Sequence, residues 1–165
     1  RIATGRMSHL CLKNSFFFEG QDFSNDERVT RIVQDPTRHC IILYPGVGST
    51  NLTPLGLEER SDLLATDKRL TVFVIDGTWR TARKMVRSTN LSQIQRVCFT
   101  PEKPSNFRVR KQPHAGCYST IEAIHHLIGL IGHEKHFKVD ERAHDNLIYA
   151  FDSMVEFQLK LMKEK

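Results

Sequence analysis

The chain has 165 residues, the size of one domain, with 39% hydrophobic and 26% charged residues; these values exclude a collagen, a low-complexity chain and a mostly disordered one. Its apolar runs, such as Cys40 to Tyr44 and Thr71 to Ile75, are far shorter than the ~20 residues of a membrane span. Twenty-four Lys and Arg against nineteen Asp and Glu leave a net charge of +5, which permits nucleic acid as a partner without requiring it.

In chain order, Thr4 to Leu12 reads as a short helix and Phe16-Phe17-Phe18 as a compact strand. Ser24-Asn25-Asp26-Glu27 has the S-x-x-E form of a capping box, with Ser24 opening a helix to about Val33. Cys40 to Tyr44 is continuously apolar and rich in β-branched residues, as in a strand buried on both faces. It stops at Pro45-Gly46, and a loop from Val47 to Pro54 follows. A polar helix is predicted over Leu57 to Ala65, then a second buried strand over Thr71 to Ile75. That strand ends at Asp76-Gly77, and a helix begins near Thr78. Val97-Cys98-Phe99 is a third strand. Thr100 to Gly116 holds three prolines and reads as irregular, with Arg108-Val109-Arg110 extended inside it. Ser119 opens a helix to about Ile131. A long amphipathic helix is predicted from near Asp140 to Met162, with Ala143, Leu147, Phe151, Met154 and Leu161 on its apolar side.

Strands that alternate with helices and are apolar throughout imply an α/β fold, a mostly parallel sheet with helices on both faces, in a single domain over residues 1–165. Ligands in such sheets bind beyond the carboxyl ends of the strands. The loops after Tyr44 and Ile75, and the region leading to Ser119, are the candidates.

Cys11, Cys40, Cys98 and Cys117 form no C-x-x-C pair, and no secretory signal opens the chain. Reduced, mostly buried thiols in a cytoplasmic protein are expected. Because the first residue is Arg, sequence is expected to be missing at the N-terminus.

On the helix after Asp76, Arg80, Arg83, Lys84 and Arg87 are spaced i, i+3, i+4, i+7 and share one face. Trp79, Ala82, Met85 and Val86 fall on the other, toward a core. Four cations on one face form either a phosphate-binding ridge or a solvated surface paired elsewhere. Asp76 is either a cap for the helix's free N–H groups or a carboxylate aimed at a ligand from a strand end. Ser119-Thr120-Ile121-Glu122 also matches a capping box. Gly116 before it permits close approach of a ligand, and the helix start favours an anionic group.

Pro45-Gly46-Val47-Gly48-Ser49-Thr50 is not a phosphate loop, since no Lys precedes the Ser-Thr pair, and it lacks the third Gly of a dinucleotide fingerprint. His125, His126, His133, His136 and His144 gather in the last third without an H-E-x-x-H, so no metal site is expected. No Gly-x-Ser-x-Gly elbow supports serine hydrolysis.

Three segments together carry a resemblance. Asp76-Gly77-Thr78-Trp79, followed by Ala82-Arg83-Lys84-Met85, resembles the signature and helix of the DTW-domain family, with Gly in the variable place. Phe107-Arg108-Val109-Arg110-Lys111 is similar to the family's aromatic-Arg-x-Arg segment. Ser119-Thr120-Ile121-Glu122-Ala123 is similar to its Ser-Thr-x-Glu-Ala motif. Thr4-Gly5-Arg6 and Tyr44-Pro45-Gly46 add weaker support.

The resemblance implies a tRNA-uridine aminocarboxypropyltransferase that moves the 3-amino-3-carboxypropyl group of S-adenosylmethionine to N3 of a uridine and releases methylthioadenosine. It also implies a SPOUT-like fold with a C-terminal knot around the cofactor site, against the general rule that chains are unknotted. A cysteine-rich, zinc-binding segment upstream in many members, and a first strand before Arg1, are expected to be missing here.

On this reading Asp76 is the candidate general base or a positioner of the cofactor's amino group. Tyr44, Pro45, Gly46, Asp76, Gly77, Thr78, Trp79, Gly116, Tyr118, Ser119, Thr120 and Glu122 are the candidate cofactor-binding residues. Arg80, Arg83, Lys84, Arg87, Arg108 and Arg110 are the candidate RNA-binding cations, Arg108 and Arg110 being also candidates for the cofactor's carboxylate. The expected partner is tRNA, with no membrane and no DNA. The competing readings are a SPOUT-like RNA methyltransferase and a non-catalytic RNA-binding module.

Overall fold

The computed structural model describes residues 3–64, 68–87, 90–109, 116–135 and 137–164, with Trp79 described by its backbone alone. The elements run α1 (Thr4–Cys11), α2 (Glu27–Gln34), β1 (Arg38–Leu43), β2 (Thr50–Asn51), α3 (Leu57–Leu64), β3 (Arg69–Val74), α4 (Trp79–Val86), β4 (Gln95–Cys98), α5 (Thr120–Ile131) and α6 (Asn146–Lys163). They divide into two compact units. One is Phe18–Phe99; the other joins Arg1–Phe17 to Thr100–Lys165.

The Phe18–Phe99 unit holds a four-stranded sheet in the order β2-β4-β1-β3. Every pairing is parallel, as the unbroken apolar strands predict. Ile41, Ile42 and Val97 are fully buried in it. A core of Phe23, Val29, Ile42, Met85 and Leu91 packs with Phe18, Val33, Tyr44, Phe73 and Ile75. The two-residue strand β2 falls inside the predicted loop; a pairing this short has no apolar run to announce it.

The predicted cap of α2 shifts from Ser24 to Asp26. Asp26 Oδ1 accepts from the Arg28 N–H at 2.9 Å and from the Val29 N–H at 3.4 Å. Its hydrogen-bonded partner Arg28 holds the Asp26 carboxyl down at about 2. Ser24 is drawn backwards: its N–H and hydroxyl donate to Asp22 Oδ1 at 2.9 and 2.7 Å, an aspartate-led turn that precedes the cap.

In the second unit α5 packs against α1 and α6. Its core is Phe107, Ile121, Leu147, Phe151 and Val155, with Met7, Ile124, Ile128 and Met154 around it. Phe16 to Phe18 is not a strand, because the three rings part company. Phe17 stacks on His9 with centroids 6.0 Å apart, Phe16 is 67% exposed, and Phe18 joins the sheet unit's core.

The long last helix starts later than its periodicity predicts. Val139–Glu141 and Ala143–Asp145 form two 3-10 turns, separated by Arg142 at φ +52°. A left-handed residue cannot continue a right-handed helix. Ala143 therefore lies outside α6 and exposed, and Leu161 at its far end is also exposed. The four cysteines are free thiols. No helix among the described residues is long and apolar enough to cross a membrane.

Candidate active site and basic helix

In the sheet unit, register places two of the candidate loops side by side. Leu43 of β1 stands level with Val74 of β3 and Val97 of β4. Tyr44-Pro45-Gly46 and Ile75-Asp76-Gly77 therefore leave neighbouring strands at the same carboxyl edge. The first loop is held by its own bonds. Ser49 Oγ donates to the Tyr44 carbonyl at 2.8 Å, and the Ser49 N–H donates to the Gly46 carbonyl at 3.1 Å. Gly48 sits at φ +81°, a conformation a side chain resists. Pro45 to Gly48 are exposed at the loop tip.

The second loop is tight for a different reason. Thr78 is the N-cap of α4, and its Oγ1 accepts from the Thr81 N–H at 3.3 Å. The Thr81 hydroxyl donates to the Thr78 carbonyl at 2.9 Å. A Cβ at position 77 would stand 2.6 Å from Thr81 Oγ1, so Gly77 is fixed by the turn it precedes. The N-cap position belongs to Thr78, two residues after the half-buried Asp76 at the strand end.

The face reading of α4 agrees with the structure. Arg80, Arg83, Lys84 and Arg87 are exposed. Ala82, Met85 and Val86 are buried. The side chain of Trp79, expected with them, lies outside the described residues.

The other candidates sit in the second unit. Ser119 is the N-cap of α5, and Glu122 closes a capping box with it. Glu122 Oε2 accepts from the Ser119 N–H at 2.8 Å and from the Ser119 hydroxyl at 2.6 Å. Both residues are buried and bond each other. Gly116 is exposed, while Tyr118 and Thr120 are half-buried. The Tyr118 ring meets His126 edge-on at 5.9 Å.

Arg108 is not on an extended segment. It lies in a turn, its N–H donating to the Asn106 carbonyl at 2.8 Å. Its guanidinium bonds Asn106 Oδ1 at 3.0 Å and pairs with Glu156 of α6. Arg110, predicted to share a side with Arg108, lies outside the described residues.

One cluster has no sequence motif. Ligand atoms of His125, His144 and Asp145 lie within 4.8 Å of one another. His125 Nε2 is 2.8 Å from Asp145 Oδ1, and the two imidazoles stack at 4.9 Å. Arg142 donates to both Asp145 oxygens, at 2.7 and 2.8 Å. These bonds, Arg142 first and His125 second, hold the Asp145 carboxyl at about 2. Burial, and then the neighbouring His125, push His144 below its ordinary value. Asp145 follows the left-handed turn at Arg142, and no spacing rule encodes its meeting with His125.

An all-parallel sheet with helices between its strands defines an α/β protein, a class in which ligands bind beyond the carboxyl edge of the sheet, where these loops lie. The DTW domain matches residues 1–159, and the chain belongs to the DTW domain family. It is 30% identical to tRNA-uridine aminocarboxypropyltransferase A of Arabidopsis thaliana, across 78% of this chain and 54% of that protein. It is 27% identical to tRNA-uridine aminocarboxypropyltransferase 2 of Mus musculus, across 86% of this chain and 44% of that protein. The chain thus spans about half the length of these relatives. No solved structure matches it.

Proposed function

We propose that this chain transfers the 3-amino-3-carboxypropyl group of S-adenosylmethionine to N3 of a uridine in tRNA, releasing methylthioadenosine. The observation that carries the reading is Asp76 at the tip of β3, level with the Tyr44 loop and ahead of the cationic α4. The names of both relatives support it.

The donor supplies a sulfonium whose γ-carbon bonds N3 while the carbon–sulfur bond breaks and the sulfur leaves, with that electron pair, as a thioether. The uridine N3–H must lose its proton during attack, and Asp76 is the carboxylate assigned to take it. Tyr44-Pro45-Gly46 and Asp76-Gly77-Thr78-Trp79 are assigned to the donor; the side-chain-free Gly77 and the exposed Gly46 suit backbone contact. Gly116, Tyr118 and Thr120, at and just before the start of α5, are the further residues assigned to the donor. The reading chooses the γ-carbon over the methyl by position, with N3 held in line near attack distance. Arg80, Arg83, Lys84 and Arg87 are assigned to tRNA phosphates. The proposal includes the SPOUT-like knot, for which the parallel sheet is the supporting part, and a cytoplasmic location, in keeping with four free thiols.

The test is mass spectrometry of tRNA nucleosides after incubation with the chain and S-adenosylmethionine. Aminocarboxypropyluridine with methylthioadenosine is expected. S-adenosylhomocysteine as by-product would identify a methyltransferase instead, and no donor heat in calorimetry would leave an RNA-binding module. For the basic face, Arg83→Glu with Lys84→Glu is expected to weaken tRNA binding at least tenfold near 0.1 M salt. It should also flatten the salt dependence by about two ionic contacts. Equal affinity across a salt titration of variant and wild type removes the ridge from the RNA interface.

A further inference from the structure

Glu122 makes more bonds than its helix needs. A capping box asks its carboxylate for one partner, the N–H of the N-cap, which Ser119 provides at 2.8 Å. Two further bonds reach back along the chain into the irregular stretch before Phe107. Glu122 Oε2 accepts from the Ser105 hydroxyl at 2.7 Å, and Oε1 accepts from the Asn106 N–H at 2.7 Å. With the Ser119 hydroxyl at 2.6 Å, four neutral donors surround one carboxylate that is only 8% exposed. Burying a charge is costly unless such bonds replace its water. Helix initiation alone does not require that burial, since a capping glutamate works at a solvated helix end.

Asn106 extends the connection. Its Nδ2 donates to Asp152 of α6 at 2.7 Å, and its Oδ1 accepts from Arg108 Nε at 3.0 Å. Phe107, between them, is buried against Phe151. The Ser105–Arg108 segment has no strand ladder of its own. It is ordered by what it touches, and the start of α5 hangs from the same carboxylate.

We propose that Glu122 is a positioning residue for the donor. It fixes the Ser105–Arg108 segment against the start of α5 and thereby sets the place of Arg108 and of the Gly116–Thr120 stretch. The proposal rests on the aminocarboxypropyl-transfer reading. Glu122 touches neither donor nor uridine; its four bonds occupy it. Removing its charge therefore degrades donor binding before it degrades the chemical step.

Glu122→Gln tests this in the full 165-residue chain. The volume stays, but an NH2 replaces one acceptor and faces a donor. Calorimetry with S-adenosylmethionine, without RNA, is expected to show the dissociation constant raised about tenfold or more. KM for the donor should rise equally and kcat fall less than about threefold. Ser105→Ala, which deletes one donor of four, should raise both constants by about threefold. A carboxylate that only stabilises the fold predicts the opposite split: fewer binding-competent molecules, lower apparent kcat, and unchanged KM and dissociation constant. That split overturns the positioning role. A wild-type chain that binds the donor without transferring it overturns the transfer reading alone, and the calorimetric comparison still decides the role of Glu122. A wild-type chain that binds no donor overturns both.

Discussion

Asp76→Asn is expected to lower turnover about a thousandfold, within the 10²–10⁴ range that general base catalysis supplies, with the fold unchanged. The substitution keeps size and shape and deletes the basic oxygen. The N-cap of α4 is Thr78, so the helix retains its start. A residue that merely held the donor's amino group would give another pattern: donor KM would rise and kcat would change little. Single-turnover transfer, followed by mass spectrometry of the nucleosides at saturating donor, separates the two. Full activity in a folded variant removes Asp76 from the chemistry.

Phe151→Ala is expected to cost about 3–5 kcal/mol, the range for emptying a buried aromatic site. Phe151 is 0% exposed, and its ring lies 5.6 Å from that of Phe107, tilted by 58°. The truncation leaves a void between α6 and the segment that carries Phe107. Urea titration of variant and wild type reads the loss. Far-ultraviolet and near-ultraviolet probes should agree in the transition if this unit unfolds cooperatively. A loss below about 1 kcal/mol would mean that Phe107 collapses into the vacated space. Phe107→Ala should then be equally mild.

The parallel sheet was legible because its strands announce themselves. Ile41-Ile42-Leu43 and Val72-Phe73-Val74 are apolar at every position; β1 is buried there as predicted, whereas β3, at the edge of the sheet, is only half-buried rather than the second buried strand expected. The division of α4 into a cationic face and a buried face followed from spacing alone, as did the capping box at Ser119. What escaped depended on competition between neighbours. Ser24 and Asp26 both suit a helix start; a nearby Asp22 takes the serine's hydrogens, and the charged acceptor is left for the cap. The three phenylalanines at 16 to 18 look alike in sequence, yet each finds a different environment. The break at Arg142 has no compositional mark, since it is an ordinary cation in a left-handed turn. Of the site, the tetrad at Asp76 and the loop at Tyr44 were readable as strand ends, and the register that sets them level came only with the fold. Ser119 and Glu122 show the limit of motif reading: the same four letters describe a ligand clamp and a helix cap, and the fold shows the cap.

The sheet unit is one uninterrupted stretch, whereas its companion joins the two segments that flank it in sequence. During synthesis the N-terminal portion emerges first, so α1 leaves the ribosome long before α5 and α6, the helices it packs on. An isolated eight-residue helix is too short to persist in water. α1 must therefore wait, unfolded, while the parallel strands form. A translational pause placed after Phe99 would give the first unit time to finish before the second has its last helices.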